Sequence, residues 1–336
     1  MSETPTFADL FAGIGGIRIG FETAGCRCVL SNDNDKFCKQ TYTANFGSRY
    51  FVPRDIRDLD SSQLQDFDIL CAGFPCQPFS AAGLPKKNSL DQPHGFEDET
   101  HGTAFGEIER VIKDKQPQAF FLENVKSLKW HDGGKTLAII GQTLEEELGY
   151  SLFPKVINAK GLVPQNRERI YLIGFKDKNL DFVFPNVPEL ESCVGDILQD
   201  NVPEKYTLSE HLQKYLQDYA ERHHAKGNGF GYGLVDRNDC SRTLSARYGK
   251  DGSEILIETE GGKWRRLTPR ECARLQGFPD SFRIPVSDTQ AYKQFGNSVA
   301  VPLMEILAQA IVKTLTERPQ RVAPPCTVQQ RLASVS

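Results

Sequence analysis

A doubly wound α/β fold, in which a mixed, largely parallel sheet carries helices on both faces, is the class this sequence predicts. Three observations predict it. Short apolar runs bounded by turn residues recur at 6–11, 27–31, 68–72, 119–123 and 170–175, as strands buried on both faces should. Helical spacing appears between them: Leu137, Ile140, Leu144 and Leu148 fall three or four apart and stop at Gly149,. Polar and reactive residues stand at the ends of the apolar runs, where open α/β sheets bind ligands.

The first run, Phe7-Ala8-Asp9-Leu10-Phe11, passes into Ala12-Gly13-Ile14-Gly15-Gly16. Such a turn brings backbone amides and a helix amino terminus close to a polar or anionic ligand. Position 18 is arginine, so the dinucleotide fingerprint fails and a nicotinamide cofactor is disfavoured. The second run ends in Ser31-Asn32-Asp33, and the third leads into Gly73-Phe74-Pro75-Cys76-Gln77-Pro78-Phe79-Ser80. Pro75 and Pro78 fix torsions and remove two donors on either side of Cys76. Taken alone, that cysteine reads equally well as a buried small hydrophobe. The fourth run ends in Glu123-Asn124-Val125, a carboxylate that suits either acid chemistry or a helix cap. Gln165-Asn166-Arg167-Glu168-Arg169 precedes the fifth. Further on, Thr268-Pro269-Arg270-Glu271 is a capping box with proline in the first turn, so a helix starts there.

With 336 residues, 39% of them hydrophobic, the chain is long enough for one large domain and a smaller one. Nine cysteines, an odd number without a C-x-x-C pair, and no secretory leader predict a reduced, cytoplasmic protein with neither disulfide framework nor metal site. No apolar run approaches the length of a membrane span. Net charge is −4, but residues 176–221 hold four basic and ten acidic side chains, and residues 222–274 eleven basic and seven acidic. That switch predicts a localised phosphate-facing surface, the plain alternative being an unevenly charged solvated one.

In this order the segments resemble the bacterial cytosine carbon-5 DNA methyltransferases. The resemblance runs from Phe7 to about Pro302 and continues through Arg266-Leu267-Thr268-Pro269-Arg270-Glu271-Cys272-Ala273-Arg274 and Gln294-Phe295-Gly296-Asn297-Ser298-Val299. It implies the S-adenosylmethionine-dependent methyltransferase fold, with S-adenosyl-L-methionine as cofactor and S-adenosyl-L-homocysteine as product. Cys76 would add to carbon 6 of a flipped-out cytosine. Glu123 would serve ring nitrogen 3, and Arg167 and Arg169 would supply the positive field a thiolate needs. Cofactor contacts are implied at Phe11, Gly13, Ile14, Gly15, Gly16, Asp33, Asn34, Asp55, Ile56, Pro75, Asn297 and Val299. The family often has glutamate followed by an aromatic where this chain has Asp33-Asn34.

For DNA the resemblance implies Gln77, Ser80, Lys86, Lys87, Asn124, Lys226, Asn228, Arg242, Thr243, Arg247 and Tyr248. The segment 81–102 is similar to a mobile loop that closes over DNA, although His101 stands where relatives often carry arginine. The implied organisation is a catalytic and cofactor-binding domain at 1–180, a smaller β-rich target-recognition domain at 181–284, a return segment at 285–317 and a disordered tail at 318–336. Residues 226–233 and 242–248 resemble the Dcm-type subgroup, which modifies the inner cytosine of CC(A/T)GG or CCNGG sites. Duplex DNA is the implied partner, with a cognate restriction endonuclease acting beside it without a stable complex, no membrane, and a monomeric chain. Two alternatives stay open: a transfer-RNA cytosine-C5 methyltransferase on the same scaffold, and a non-catalytic DNA-binding relative.

Overall fold

Among the described residues seven strands form one sheet, ordered across it as β3 (Phe51–Val52), β2 (Arg27–Asn32), β1 (Thr6–Leu10), β4 (Ile69–Gly73), β5 (Ala119–Val125), β7 (Glu168–Phe175) and β6 (Ser151–Asn158). The structure, a computed structural model, describes residues 4–75, 104–189, 191–227, 231–250 and 252–317. Four of the expected strands pair in parallel: β1 (Thr6–Leu10) lies between β2 (Arg27–Asn32) and β4 (Ile69–Gly73), and β4 pairs with β5 (Ala119–Val125). The fifth, β7 (Glu168–Phe175), is antiparallel to β5, with Val125 opposite Arg169 and Glu123 opposite Tyr171. This reversal has a functional consequence. The start of β7 meets the ends of the parallel strands, so residues 165–169 share an edge with 11–16, 33, 73–75 and 123–125.

Alternation along each strand feeds a core on each face. Ala8, Leu10, Phe120 and Leu122 pack on one side; Phe7, Ala119 and Phe121 pack on the other. Helix α2 (Lys36–Phe46) follows β2 and α3 (Ala104–Lys115) precedes β5, and on that second side α1 (Gly16–Thr23) lies against α8 (Val301–Thr316). Gly20 permits the approach, since a Cβ there would fall 2.4 Å from Met304 Cβ. The expected helix after Gly134 is α4 (Lys135–Gln142), extended by a π-helical turn, with Leu137, Ile140 and Leu144 buried. Two edge strands escape the sequence reading. One, β3 (Phe51–Val52), has two residues, and β6 (Ser151–Asn158) carries Pro154 and a half-exposed face, as edge strands do.

Beyond the sheet, the region expected to be β-rich is built mostly from helices and turns. Its strands β8 (Leu234–Val235), β9 (Leu256–Glu258) and β10 (Trp264–Arg266) have two, three and three residues. The larger elements are α5 (Glu210–His224) and α6 (Pro269–Leu275). Helix α5 hides from a periodicity search because only Leu216 and Ala220 of its fifteen residues are buried. The predicted capping box is present on α6: Thr268 Oγ1 accepts the Glu271 amide, and Glu271 Oε2 accepts the Thr268 amide at 2.8 Å. Leu244, Tyr248, Leu267, Leu275 and Phe295 form the core of this region, and Ile14 of the glycine turn inserts into it.

The return segment comprises α7 (Asp288–Asn297) and α8. By length and composition the stretch Asp288–Thr316 matches a membrane span, contrary to the sequence expectation. The helix is interrupted at residues 298–300, and Leu303, Met304, Leu307, Ala308 and Ile311 are buried in the core against the sheet.

Candidate active site

At the ends of β1 and β2 a cavity of about 150 Å3 opens between Phe11, Asp33, Asn34, Asp55, Ile56 and Arg57. Phe11 and Gly13 both have φ near +55°. For a phenylalanine that is a strained torsion, of the kind that gathers at functional sites. The three glycines of the turn have three separate causes. A Cβ on Gly13 would meet nothing within 4 Å, so this is where a ligand can approach the backbone. On Gly15 it would strike the Phe46 ring at 2.4 Å, and on Gly16 it would strike Ser298 Oγ at 2.7 Å and Val299 Cγ2 at 2.9 Å. Gly15 and Gly16 are therefore packing requirements, and Val299 is the residue that Gly16 packs against. The Ile14 side chain, expected at the cofactor, lies instead in the neighbouring core, because the turn points it away from the cavity.

Asp33 closes the turn from the next strand. One carboxylate oxygen accepts the Gly13 amide at 2.9 Å and the other the Asp35 amide at 2.8 Å. Burial pushes this carboxyl up, while the two amide hydrogen bonds pull it back,. Each oxygen keeps lone-pair capacity, which suits a pair of ribose hydroxyls. Asp55 is gripped by Arg57 through two bonds of 2.9 and 2.8 Å, and its carboxyl is held well below the ordinary range by that side chain. Asn34 Nδ2 stands 3.4 Å from the same carboxylate. Arg57 was not anticipated from sequence; its only signal is a charge two residues after Asp55. An open glycine backbone beside a half-buried carboxylate fits the sugar and amino-acid parts of S-adenosylmethionine. Asn297, also expected here, is exposed at the end of α7.

At the ends of β4 and β5 the site changes character. Glu123 is 8% exposed, and its carboxylate lies over the end of β4, where a Cβ on Gly73 would be 3.6 Å from Oε2. Arg169 Nε stands 3.1 Å from Glu123 Oε1. Burial raises the Glu123 carboxyl, opposed by the charges of Arg169 and then Arg167. Asn124, expected to touch DNA, is instead buried. Its Nδ2 donates to the Phe74 carbonyl at 3.1 Å and its Oδ1 accepts the Val125 amide at 2.8 Å. That bond ties the end of β5 to the chain two residues before Cys76. Pro75 is the last described residue on that side. Cys76 itself lies outside the described residues, as do Gln77, Ser80, Lys86, Lys87, Asn228, His101 and the segment 318–336.

Arg167 also departs from expectation. It is 2% exposed, and its guanidinium donates to the carbonyls of Leu244 at 3.1 Å, Gly296 at 3.2 Å and Ser298. Burial, reinforced by the Arg169 charge, brings it down to about 10, so it remains a cation at neutral pH. It clamps β7 to the recognition region and to the end of α7, and reaches Glu123 only through its field. Gln165, which sequence reasoning left without a role, is fully buried and completes the clamp. Its side chain donates to the Leu275 carbonyl at 2.7 Å and accepts the Leu244 amide at 3.2 Å.

In the recognition region the expected residues divide. Tyr248 is fully buried, its hydroxyl donating to the Ile255 carbonyl and accepting the Leu267 amide, so it is core and does not contact DNA. The Thr243 hydroxyl donates to the Asn166 carbonyl. Lys226, Arg242 and Arg247 are exposed. Not every basic side chain of this stretch is free to meet DNA: Arg265 is buried against Glu271, Arg274 pairs with Asp280, and Arg270 donates to the carbonyls of Pro279 and Phe282.

A doubly wound sheet with β7 reversed, an open glycine turn facing a carboxylate, and a buried acid held by arginine together define an S-adenosylmethionine-dependent methyltransferase. The chain belongs to the C-5 cytosine-specific DNA methylase family, whose model matches residues 5–313. It is 52% identical to the type II methyltransferase M.NlaX of Neisseria lactamica over 92% of this chain and 96% of that protein. Identity is 46% to the DNA-cytosine methyltransferase of Escherichia coli K12, over 91% and 77%. With type II methyltransferase M.HpaII of Haemophilus parainfluenzae it is 43%, over 94% and 91%. The fold superimposes on the Dnmt2 methyltransferase of S. pombe with a TM-score of 0.74 at 19% identity, covering 93% of this chain and all of that one. This protein is thus a DNA cytosine-C5 methyltransferase that uses S-adenosylmethionine.

Proposed function

We propose that the enzyme methylates carbon 5 of a cytosine flipped out of duplex DNA, through a covalent adduct with Cys76. Its site would be the inner cytosine of CC(A/T)GG or CCNGG, within a restriction-modification system. One observation carries the mechanism: a buried carboxyl, raised by desolvation and braced by Arg169, sits over the end of the strand that leads to Cys76.

Carbon 5 of cytosine is a poor nucleophile until a group adds at carbon 6. The Cys76 thiolate forms that sulfur–carbon bond, and the ring electrons move toward nitrogen 3. Glu123, whose carboxyl burial raises, in its acid form donates a hydrogen bond or proton there and so stabilises the adduct,. Arg169 fixes the orientation of that carboxyl. The bound cofactor supplies a sulfonium-activated methyl group for carbon 5. Loss of the carbon 5 proton then breaks the sulfur–carbon bond and restores the ring and the thiolate. Asn124, through Phe74, holds the turn on which the nucleophile is carried. The site preference is supported by the likeness of residues 226–233 and 242–248 to the Dcm-type region.

Bisulfite sequencing of plasmid DNA from a methylation-free host expressing the chain tests this reading. Protected cytosines at one short palindrome, lost in Cys76→Ser, are the expected result. Unprotected DNA from a folded, expressed chain overturns it and transfers the assignment to transfer RNA or to a binding role.

A further inference from the structure

Where β6 runs toward the recognition region, a second cavity of about 390 Å3 is lined by Asn158, Lys160, Asn166, Cys240, Ser241 and Arg242. Its frame is rigid. Gln165 and Ser241 form a parallel bridge, the Asn166 amide donates to the Ser241 carbonyl at 2.8 Å, and the Ser241 amide donates to the Pro164 carbonyl at 2.9 Å. Asn158 Oδ1 accepts the amides of Lys160 and Arg167, both at 3.1 Å, while its Nδ2 donates to Asn166 Oδ1. That pairing turns the Asn166 amide nitrogen, a donor, away from Asn158.

Lys160 and Arg242 are both exposed, and no carboxylate is among the residues lining this cavity. Neither cation forms an ion pair among the described residues. A pocket walled by an ammonium, a guanidinium and a free amide donor is chemically matched to a phosphodiester. Its position narrows the choice of phosphate. Asn166 is three residues from Arg169, which at most about 3.5 Å per residue puts it within roughly 10 Å of the arginine that braces Glu123,. A DNA strand advances about 3.4 Å along its axis per phosphate.

We propose that this pocket seats one backbone phosphate of duplex DNA, within about three nucleotides of the flipped cytosine. Lys160 and Arg242 bind the same phosphate and contribute to affinity without reading sequence. This places Arg242, implied at DNA by the sequence, on the backbone. The inference rests on the duplex-DNA reading given above.

The test is the salt dependence of binding to two 30-base-pair duplexes, one with a CC(A/T)GG site and one without, in the presence of S-adenosyl-L-homocysteine. Lys160→Ala, Arg242→Ala and the double variant are compared with the unmodified enzyme. The double variant should flatten the slope of log K against log salt by about 1 on both duplexes, since the pair neutralises one phosphate. Each single variant should flatten it by less, because the remaining cation still holds that phosphate. Lys160→Glu should weaken binding further, with affinity for S-adenosyl-L-homocysteine unchanged as the control for folding. An unchanged slope in the double variant, or a loss confined to the site-bearing duplex, overturns the seat. If the unmodified enzyme shows no salt-dependent binding to either duplex, or binds only transfer RNA, the DNA reading itself has failed.

Discussion

The two halves of the ligand-binding edge are assembled by opposite means. At the cofactor half, Gly13 and Asp33 are twenty residues apart, on adjacent parallel strands joined by one helix. Asp55 is held by Arg57 two residues away. At the reacting half, Asn124 reaches back fifty residues to Phe74, and Arg167 reaches forward 77, 129 and 131 residues to Leu244, Gly296 and Ser298. The polar contacts of the first half stay within the chain from Gly13 to Arg57, although its turn packs on Ser298 and Val299 and sends Ile14 into the recognition core. The second exists only when the sheet, the recognition region and the return segment have closed around β7. A cofactor turn can draw its hydrogen bonds from neighbouring segments, whereas a nucleophile and an acid from different strands need distant segments to fix their spacing.

Substitutions on the reacting half should therefore change turnover and leave cofactor affinity intact. Glu123→Gln gives the largest expected effect, a loss of roughly 10²–10⁴-fold in kcat. A glutamine cannot donate a proton, although it retains the shape of the site. Single-turnover methylation measured beside calorimetric binding of S-adenosyl-L-homocysteine checks both halves of the expectation. Burial raises Glu123 above an ordinary glutamate, so the acid form and the activity it supports extend to higher pH. Both decline as pH rises through its folded value, and that limb should vanish in Glu123→Gln. A cofactor affinity that fell in parallel would show that the two halves are not separable.

Asn124→Ala sharpens the comparison further. It removes a bond from a buried amide to a buried strand end, a change of about 1–3 kcal/mol. If Asn124 acts by positioning the turn before Cys76, the effect should appear as about a tenfold to hundredfold fall in kcat. KM for the cofactor should be unchanged, and Asn124→Asp should not restore the loss, since an aspartate can accept the Val125 amide but cannot donate to the Phe74 carbonyl,. An equal loss in stability with normal kcat would make the bond merely structural.

The same contrast explains what was legible in the sequence. The strands β1, β2, β4, β5 and β7 were readable because each is a short apolar run, and the turn 11–16 because only glycine meets φ +86° at Gly15 beside the Phe46 ring. The capping box of α6 lies within four residues and was equally plain. The roles of Asn124, Gln165, Arg167 and Tyr248 depended on partners that no local pattern reveals. Each is a polar side chain in a conspicuous segment that points inward to satisfy carbonyls and amides from elsewhere. A buried backbone group must find such a partner, and sequence does not say which side chain will supply it. A charge count is silent on pairing for the same reason: Arg265 and Glu271 meet inside the core and both leave the surface.

The smallest expected effect lies beneath the cofactor half and tests whether its independence extends to stability. Asp9, in β1, is fully buried, and neither carboxylate oxygen has a hydrogen-bond partner among the described residues. Burial pushes its carboxyl well above the ordinary range, against a smaller pull from Arg18. The unfolded chain ionises Asp9 near pH 4, whereas the folded chain holds the proton to higher pH. Stability is therefore least affected below pH 4 and falls as pH rises toward the folded value. Asp9→Asn removes that slope. Its melting temperature relative to the unmodified enzyme should climb between pH 4 and pH 7, by an amount on the order of a few degrees, with turnover at saturating cofactor retained. A difference constant across that range would mean that Asp9 is ionised in the fold and stabilised by Arg18. In that case the cofactor half is locked by a buried charge pair, and its apparent simplicity ends at the strand that carries the turn.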